Sequence, residues 1–238
     1  MYRVADITFE AVGCGEVFLA RAEKYRVESG EPEFVISVTR EELDSADYEL
    51  NLSDDWKRYM LSGTKFYFEL IKRRGMMLHS SAVVKDGMAY LFSGNSGVGK
   101  STHTRYWLQL FPGAYVLNDD KPALRRTENG FYAYGTPWSG KHDISRNEGV
   151  PLGAITFIER AAWNHIEPIS PLEGAIKLLP QTVRRISGER MNELLDTVDT
   201  LLREAPLYRL GCVNDISAAE VAAQTLCPAE DAEDGIGE

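Results

Sequence analysis

The sequence predicts an α/β fold, and three observations predict it. An apolar stretch, Met88-Ala89-Tyr90-Leu91-Phe92, runs straight into a glycine-rich loop and then a helical pattern. Further short apolar strands at 114–117, 151–158 and 207–213 alternate with helical stretches. The first fifty residues are strand-like. The expected organisation is a small β-rich N-terminal region over 1–52, one main domain over 53–227, and an acidic, disordered tail over 228–238.

Composition narrows the function classes. Hydrophobic content of 44% and charged content of 26% are those of an ordinary globular chain with a real core. A net charge of −10 argues against nucleic acid or an anionic membrane as the main partner, because both need clustered cations. Cys14, Cys212 and Cys227 have no C-x-x-C spacing, so they give neither a zinc signature nor a disulfide framework. The N-terminus has no apolar signal-peptide core, and no run of 18 apolar residues occurs. The expectation is a soluble, cytoplasmic protein.

Taken in order, Tyr2 to Val12 alternates loosely as a strand, and Phe34-Val35-Ile36-Ser37-Val38 is a second strand after the turn at Ser29-Gly30-Glu31-Pro32. Ser53-Asp54-Asp55 caps a helix reaching about Arg74, which Gly63 is a candidate to split in two. Met77 to Val84, the turn Lys85-Asp86-Gly87 and the strand 88–92 read as a hairpin. His79 opens the strand beside the glycine loop. The helix after the loop stops at Pro112-Gly113. A hairpin is expected around Glu128-Asn129-Gly130, helices over most of 171–204, and a last helix from Ser217, capped by that serine.

The chemistry concentrates at Gly94-Asn95-Ser96-Gly97-Val98-Gly99-Lys100-Ser101-Thr102, which contains G-x-x-x-x-G-K-S. Its glycines allow a tight turn whose backbone N–H groups can face phosphate oxygens. Lys100 places a cation at the β and γ phosphates, Ser101 offers a hydroxyl to Mg²⁺, and the helix that follows directs its positive end at the anion. The second grouping is Asn118-Asp119-Asp120-Lys121, at the end of the next strand. A carboxylate there is where a Mg²⁺-binding acid is expected. Two adjacent acids on an extended chain face opposite ways, so one can serve the metal and the other the substrate. A plain polar turn is the alternative. The loop Gly135-Thr136-Pro137-Trp138-Ser139-Gly140-Lys141-His142 reads as ligand-facing, with Trp138, Ser139 and Lys141, together with Arg105, as substrate-side candidates.

Three blocks together, Leu78-His79-Ser80-Ser81, the glycine loop and Leu117-Asn118-Asp119-Asp120, resemble the catalytic domain of bacterial HPr kinase/phosphorylase. The resemblance is closer to the shorter HPr-kinase-like proteins, relatives of phosphoenolpyruvate carboxykinase. It covers about residues 75–160. It implies a mixed β core with helices, different from the parallel-sheet NTPases. It implies that His79 is the active-site histidine, Asp120 the acid that takes the proton from the accepting hydroxyl, and Asp119 its metal-side neighbour. Arg184 or Arg185 would stand for a later catalytic arginine. The family's segment tied to phosphorylase activity is not found, and its second metal-binding glutamate has no counterpart.

The resulting expectation is a kinase that uses ATP, or another nucleoside phosphate, with Mg²⁺ to phosphorylate a serine-type hydroxyl. The acceptor is a protein, a peptide or a free small molecule, and a homo-oligomer is compatible with the resemblance. The alternatives are a non-catalytic nucleotide-sensing module and a phosphoenolpyruvate-carboxykinase-like transfer to an enolate.

Overall fold

A computed structural model describes residues 1–46, 52–182, 186 and 188–228. The acidic stretch 229–238, Arg184 and Arg185 lie outside the described residues.

The N-terminal region begins with β1 (Tyr2–Val4) and β2 (Ile7–Val12), an antiparallel hairpin. Its two-residue turn, Ala5-Asp6, has positive φ at both positions (51° and 58°), which suits the twist of a tight hairpin. The single strand expected over 2–12 is therefore two. Helix α1 (Glu16–Ala22) follows, then β3 (Phe34–Ser37), which pairs parallel with β2. Helix α2 (Arg40–Ser45) begins with a reciprocal capping box between Thr39 and Glu42. The region is thus more helical than its sequence suggests: α1 has a short apolar face, Phe18 and Ala22, that packs inward.

Helix α3 (Asp54–Ile71) is capped by the Ser53 side chain, which accepts from Trp56 N. It is one continuous helix, which corrects the expected break at Gly63. A Cβ at position 63 would lie 2.7 Å from Trp138 Cδ1, so the glycine makes room for an indole.

Among the described residues the main sheet has nine strands. They are β4 (Gly75–Met77), β5 (Ser80–Lys85), β6 (Met88–Ser93), β7 (Tyr115–Asp120), β8 (Ala123–Thr127), β9 (Gly130–Tyr134), β10 (Gly149–Arg160), β11 (His165–Pro168) and β12 (Leu207–Cys212). β5 pairs antiparallel with both β6 and β7, while β10 pairs parallel with β6 and β12. The sheet is therefore mixed. The long β10 joins its halves: residues 149–151 pair with β9, and residues 152–157 with β6. β11, on the edge beside β12, was not anticipated from sequence.

Helices cover both faces. α4 (Lys100–Leu110) and α7 (Ser217–Leu226) pack Trp107, Ala219 and Ala222 on Tyr90, Phe92, Ala154 and Ile158. The other cluster joins Leu91 and Ile155 with Phe66 and Leu70 of α3, Leu194 and Val198 of α6 (Glu189–Glu204), and Phe9 and Phe18 of the N-terminal region. β6 is buried on both sides, which is why its sequence is a continuous apolar run. Helix α5 (Pro171–Leu178) leads from β11 towards α6. Ser217 is not the cap of α7: the Asp215 carboxylate accepts from both its N–H and its hydroxyl. No helix among the described residues is long and apolar enough to cross a membrane.

Candidate functional site

The glycine loop joins β6 to α4. Gly94, Gly97 and Gly99 all have positive φ (143°, 76° and 114°), a region L side chains avoid. Gly94 has a second reason to be glycine: a Cβ there would sit 2.9 Å from Ile158 O on the neighbouring strand. Asn95, Ser96 and Gly97 form the exposed rim, and Val98 and Gly99 are half-buried. Lys100 is 7% exposed, and its Nζ donates to Gly94 O (2.9 Å) and Asn95 O (3.3 Å). The ammonium thus bridges the mouth of the loop. Burial pulls its pKa below the ordinary lysine value, while the carboxylates of Asp120 and Asp119 pull the other way.

The two acids at the end of β7 have different partners. Ser101 Oγ donates to Asp119 Oδ1 at 2.8 Å, placing that carboxylate against the first turn of α4. Asp120 has φ of 117°, a strained value for a non-glycine residue. Its Oδ1 lies 3.3 Å from His79 Nε2 and its Oδ2 2.7 Å from Lys121 Nζ. His79 sits in the two-residue step between β4 and β5, where its N–H donates to Gln181 O. Its pKa is lowered, first by burial and then by the Lys100 charge, with Asp120 opposing.

Residues to which the sequence assigns no role of their own hold this arrangement. Asn118 is fully buried; its Nδ2 donates to Thr136 O (2.9 Å), and its Oδ1 accepts from Lys121 N (2.9 Å). Thr136 Oγ1 donates to Lys121 O at 2.8 Å, which closes the turn that carries Asp120. Ser93 Oγ donates to His79 O, tying the loop's entry strand to the histidine. Asn118 and Lys121 adjoin the acids and were legible as neighbours; Thr136 had no signal of its own. His103, buried on Phe92, accepts from Trp107 Nε1, and burial lowers its pKa to about 4.

Not every candidate faces this site. Trp138 is 3% exposed; its ring stacks on Phe66 and its Nε1 donates to Ser62 Oγ. Ser139 is also buried, with its hydroxyl on Asp143 Oδ1. Both are therefore corrected from ligand-facing residues to packing ones: aromatic area and a hydrogen-bonding tip suit a core as well as a binding loop. Lys141 is exposed beyond Gly140, whose N–H donates to Asp119 O. Arg105 is exposed, with its Nε on Ser101 O. Thr102 is half-buried and lines a cavity of about 450 Å³ together with Gly97, Tyr106, Arg160, Asn214 and Asp215.

A hydroxyl and a carboxylate, Ser101 and Asp119, form a hard oxygen donor pair. Mg²⁺ is commonly held by one or two protein oxygens, with phosphate and water completing the octahedron, so the pair fits it. Among the described residues no group of three His, Cys, Asp or Glu side chains converges as an all-protein metal site.

A family model described as SynChlorMet cassette protein ScmC matches residues 50–214, more than half of the chain. No curated protein matches the sequence. Among solved structures, the HPr(Ser) kinase/phosphatase from Coxiella burnetii is similar over 53% of this chain and 88% of that chain. It is 16% identical, with a TM-score of 0.28.

Proposed function

The chain belongs to the family described as SynChlorMet cassette protein ScmC, and we propose that it is a Mg²⁺-dependent kinase that moves a phosphoryl group from a nucleoside triphosphate, ATP first, to a serine-type hydroxyl. One observation carries the reading: adjacent acids serve two sides of one site, Asp119 on Ser101 and Asp120 on His79. A phosphate-binding module needs the loop and its metal-side acid. It has no use for a second carboxylate held in a strained conformation beside a histidine.

In this reading the backbone of 94–99 and the Lys100 ammonium hold the phosphates, and the cavity lined by Thr102, Tyr106, Arg160 and Asn214 receives the nucleoside. Ser101 and Asp119 hold Mg²⁺, which supplies charge neutralisation at the phosphate oxygens when bound. Asp120 orients the acceptor hydroxyl and takes its proton as the new P–O bond forms and the bond to the leaving phosphate breaks. His79 fixes one Asp120 oxygen and Lys121 the other. Catalysis is then chiefly positioning and charge compensation.

The test is incubation of the full chain with ATP and Mg²⁺, with free L-serine and with serine-containing peptides, followed by mass spectrometry of the acceptors. A mass gain of one phosphoryl on serine, absent when Mg²⁺ is chelated, supports the kinase. Nucleotide binding with no product on any acceptor turns the reading to a nucleotide sensor.

A further inference from the structure

The acid-bearing end of β7 is covered by a segment that the N-terminal region holds in place. Residues 137–146 run back along β7: Arg146 N donates to Leu117 O (2.9 Å), Asp119 N to Ile144 O (3.0 Å) and Gly140 N to Asp119 O (2.6 Å). The contact is close enough that a Cβ at Gly140 would lie 3.1 Å from Asp119 O and 3.4 Å from Asp120 Cβ.

The other side of this segment is fastened from α1 and α3. Arg21 Nη1 donates to Ser139 O (2.7 Å) and to Tyr59 Oη (2.9 Å). The Tyr59 hydroxyl lies 3.0 Å from Pro137 O and 3.3 Å from Ser139 O. Arg21 Nε is 4.0 Å from Asp143 Oδ1, the same oxygen that accepts from Ser139 Oγ. Next along the chain, Lys24 Nζ donates to Ser145 O and the Tyr25 hydroxyl to Arg146 O.

Burying a guanidinium is costly unless its donors are matched. Arg21 is 9% exposed, and its guanidinium lies over the rings of Trp56 (5.1 Å) and Tyr59 (5.0 Å). The shortest of its donor contacts goes to a loop carbonyl one residue before Gly140, not to a carboxylate of its own region. Its binding energy is thus directed at the segment that touches both acids.

We propose that Arg21 and Tyr59 are positioning residues of the phosphoryl-transfer site: they hold residues 137–143 against Asp119 and Asp120, so that the N-terminal region and α3 together complete the acceptor side. The proposal rests on the kinase reading above. Displacing a reacting group by about 1 Å can cost about a hundredfold in rate, so a loosened segment is enough to uncouple the acceptor from the phosphates.

The test compares the full-length wild type with Tyr59→Phe and Arg21→Met. Amide hydrogen exchange without nucleotide reads the clamp. Affinity for a fluorescent ATP analogue reads the loop. Phosphoryl transfer to free L-serine and to a serine-containing peptide, set against acceptor-independent ATP hydrolysis, reads the coupling. The expected result is faster exchange over 117–120 and 137–146, nucleotide affinity within about twofold, and acceptor kcat/KM lower by tenfold or more while hydrolysis persists. Unchanged exchange over these segments overturns the clamp. A parallel fall of transfer, hydrolysis and nucleotide affinity overturns the positioning role. Should Arg21→Met fail to fold, Tyr59→Phe, which removes one hydroxyl, carries the test alone. Failure of the kinase reading is read separately, from wild-type protein that phosphorylates neither acceptor; the exchange comparison supports or overturns the clamp without turnover.

Discussion

Ser101 donates a 2.8 Å hydrogen bond to Asp119, so the first turn of α4 and the end of β7 present one hydroxyl and one carboxylate side by side. If this pair holds Mg²⁺, removing either member removes the metal's share of nucleotide affinity. Ser101→Ala and Asp119→Asn are expected to bind a fluorescent ATP analogue about tenfold or more weaker than wild type in Mg²⁺, and about equally in EDTA. Titration with and without chelator checks this. A Mg²⁺ dependence preserved in both variants would exclude the pair as the metal site.

Asp120 is expected to matter for turnover and little for nucleotide affinity. Asp120→Asn keeps the size and a hydrogen-bonding oxygen but cannot take a proton. Transfer to a serine acceptor should fall by roughly 10²–10⁴-fold, the range for a lost general base. Nucleotide titration should give the wild-type affinity. Unchanged transfer would remove Asp120 from the base role.

Gly63 offers a test of packing whose sign is opposite to the helix rule. In an exposed helix interior, Gly→Ala stabilises by up to about 1 kcal/mol. Here the added methyl meets the Trp138 ring at 2.7 Å, and that ring is pinned by Phe66 and by its bond to Ser62. Gly63→Ala should therefore destabilise by about 1–3 kcal/mol in denaturant unfolding, as overpacking does. A more stable variant would show that the indole is free to move.

Cys14 is expected to be chemically silent in the native protein. Its thiol is buried between β2 and β3, donates weakly to Val12 O and Ile36 O, and burial pushes its pKa up to about 11 from an ordinary value of 9.0. Because the folded value is the higher one, the stabilisation is complete below about pH 9 and is lost as pH rises towards 11. Two units correspond to roughly 3 kcal/mol. Cys14→Ala should lose less stability than wild type between pH 9 and 11. In wild type at pH 8, iodoacetamide should modify Cys212 and Cys227 well before Cys14. Equal labelling of all three would contradict the burial.

The sequence-legible parts share a short range. The strand, glycine loop and helix at 88–110 need a turn of positive-φ residues and a cation at a fixed offset, all within a dozen positions. The Ser53 cap and the Asp86-Gly87 hairpin turn are equally local: each is a hydrogen bond or a φ requirement between near neighbours. That Asp119 and Asp120 take different partners was legible in the strand's alternation, whereas the positive φ of Asp120 was not. The helix over 16–22 and the strand over 165–168 were missed because each is short, and packing on a neighbour decides it more than propensity does.

The sequence by itself determined the side chains on offer here: a glycine-rich loop, a hydroxyl after its lysine, and a pair of acids on the next strand. Tertiary structure alone decided how the surroundings are used. Trp138 looks like a ligand-facing aromatic until the gap left by Gly63 is seen to accept it. Arg21 carries no signal in the sequence, and only the fold brings Tyr59 and the Ser139 carbonyl beside it. An amphipathic side chain can satisfy itself in water or in a matched interior site, and only the fold supplies the partners that choose between them.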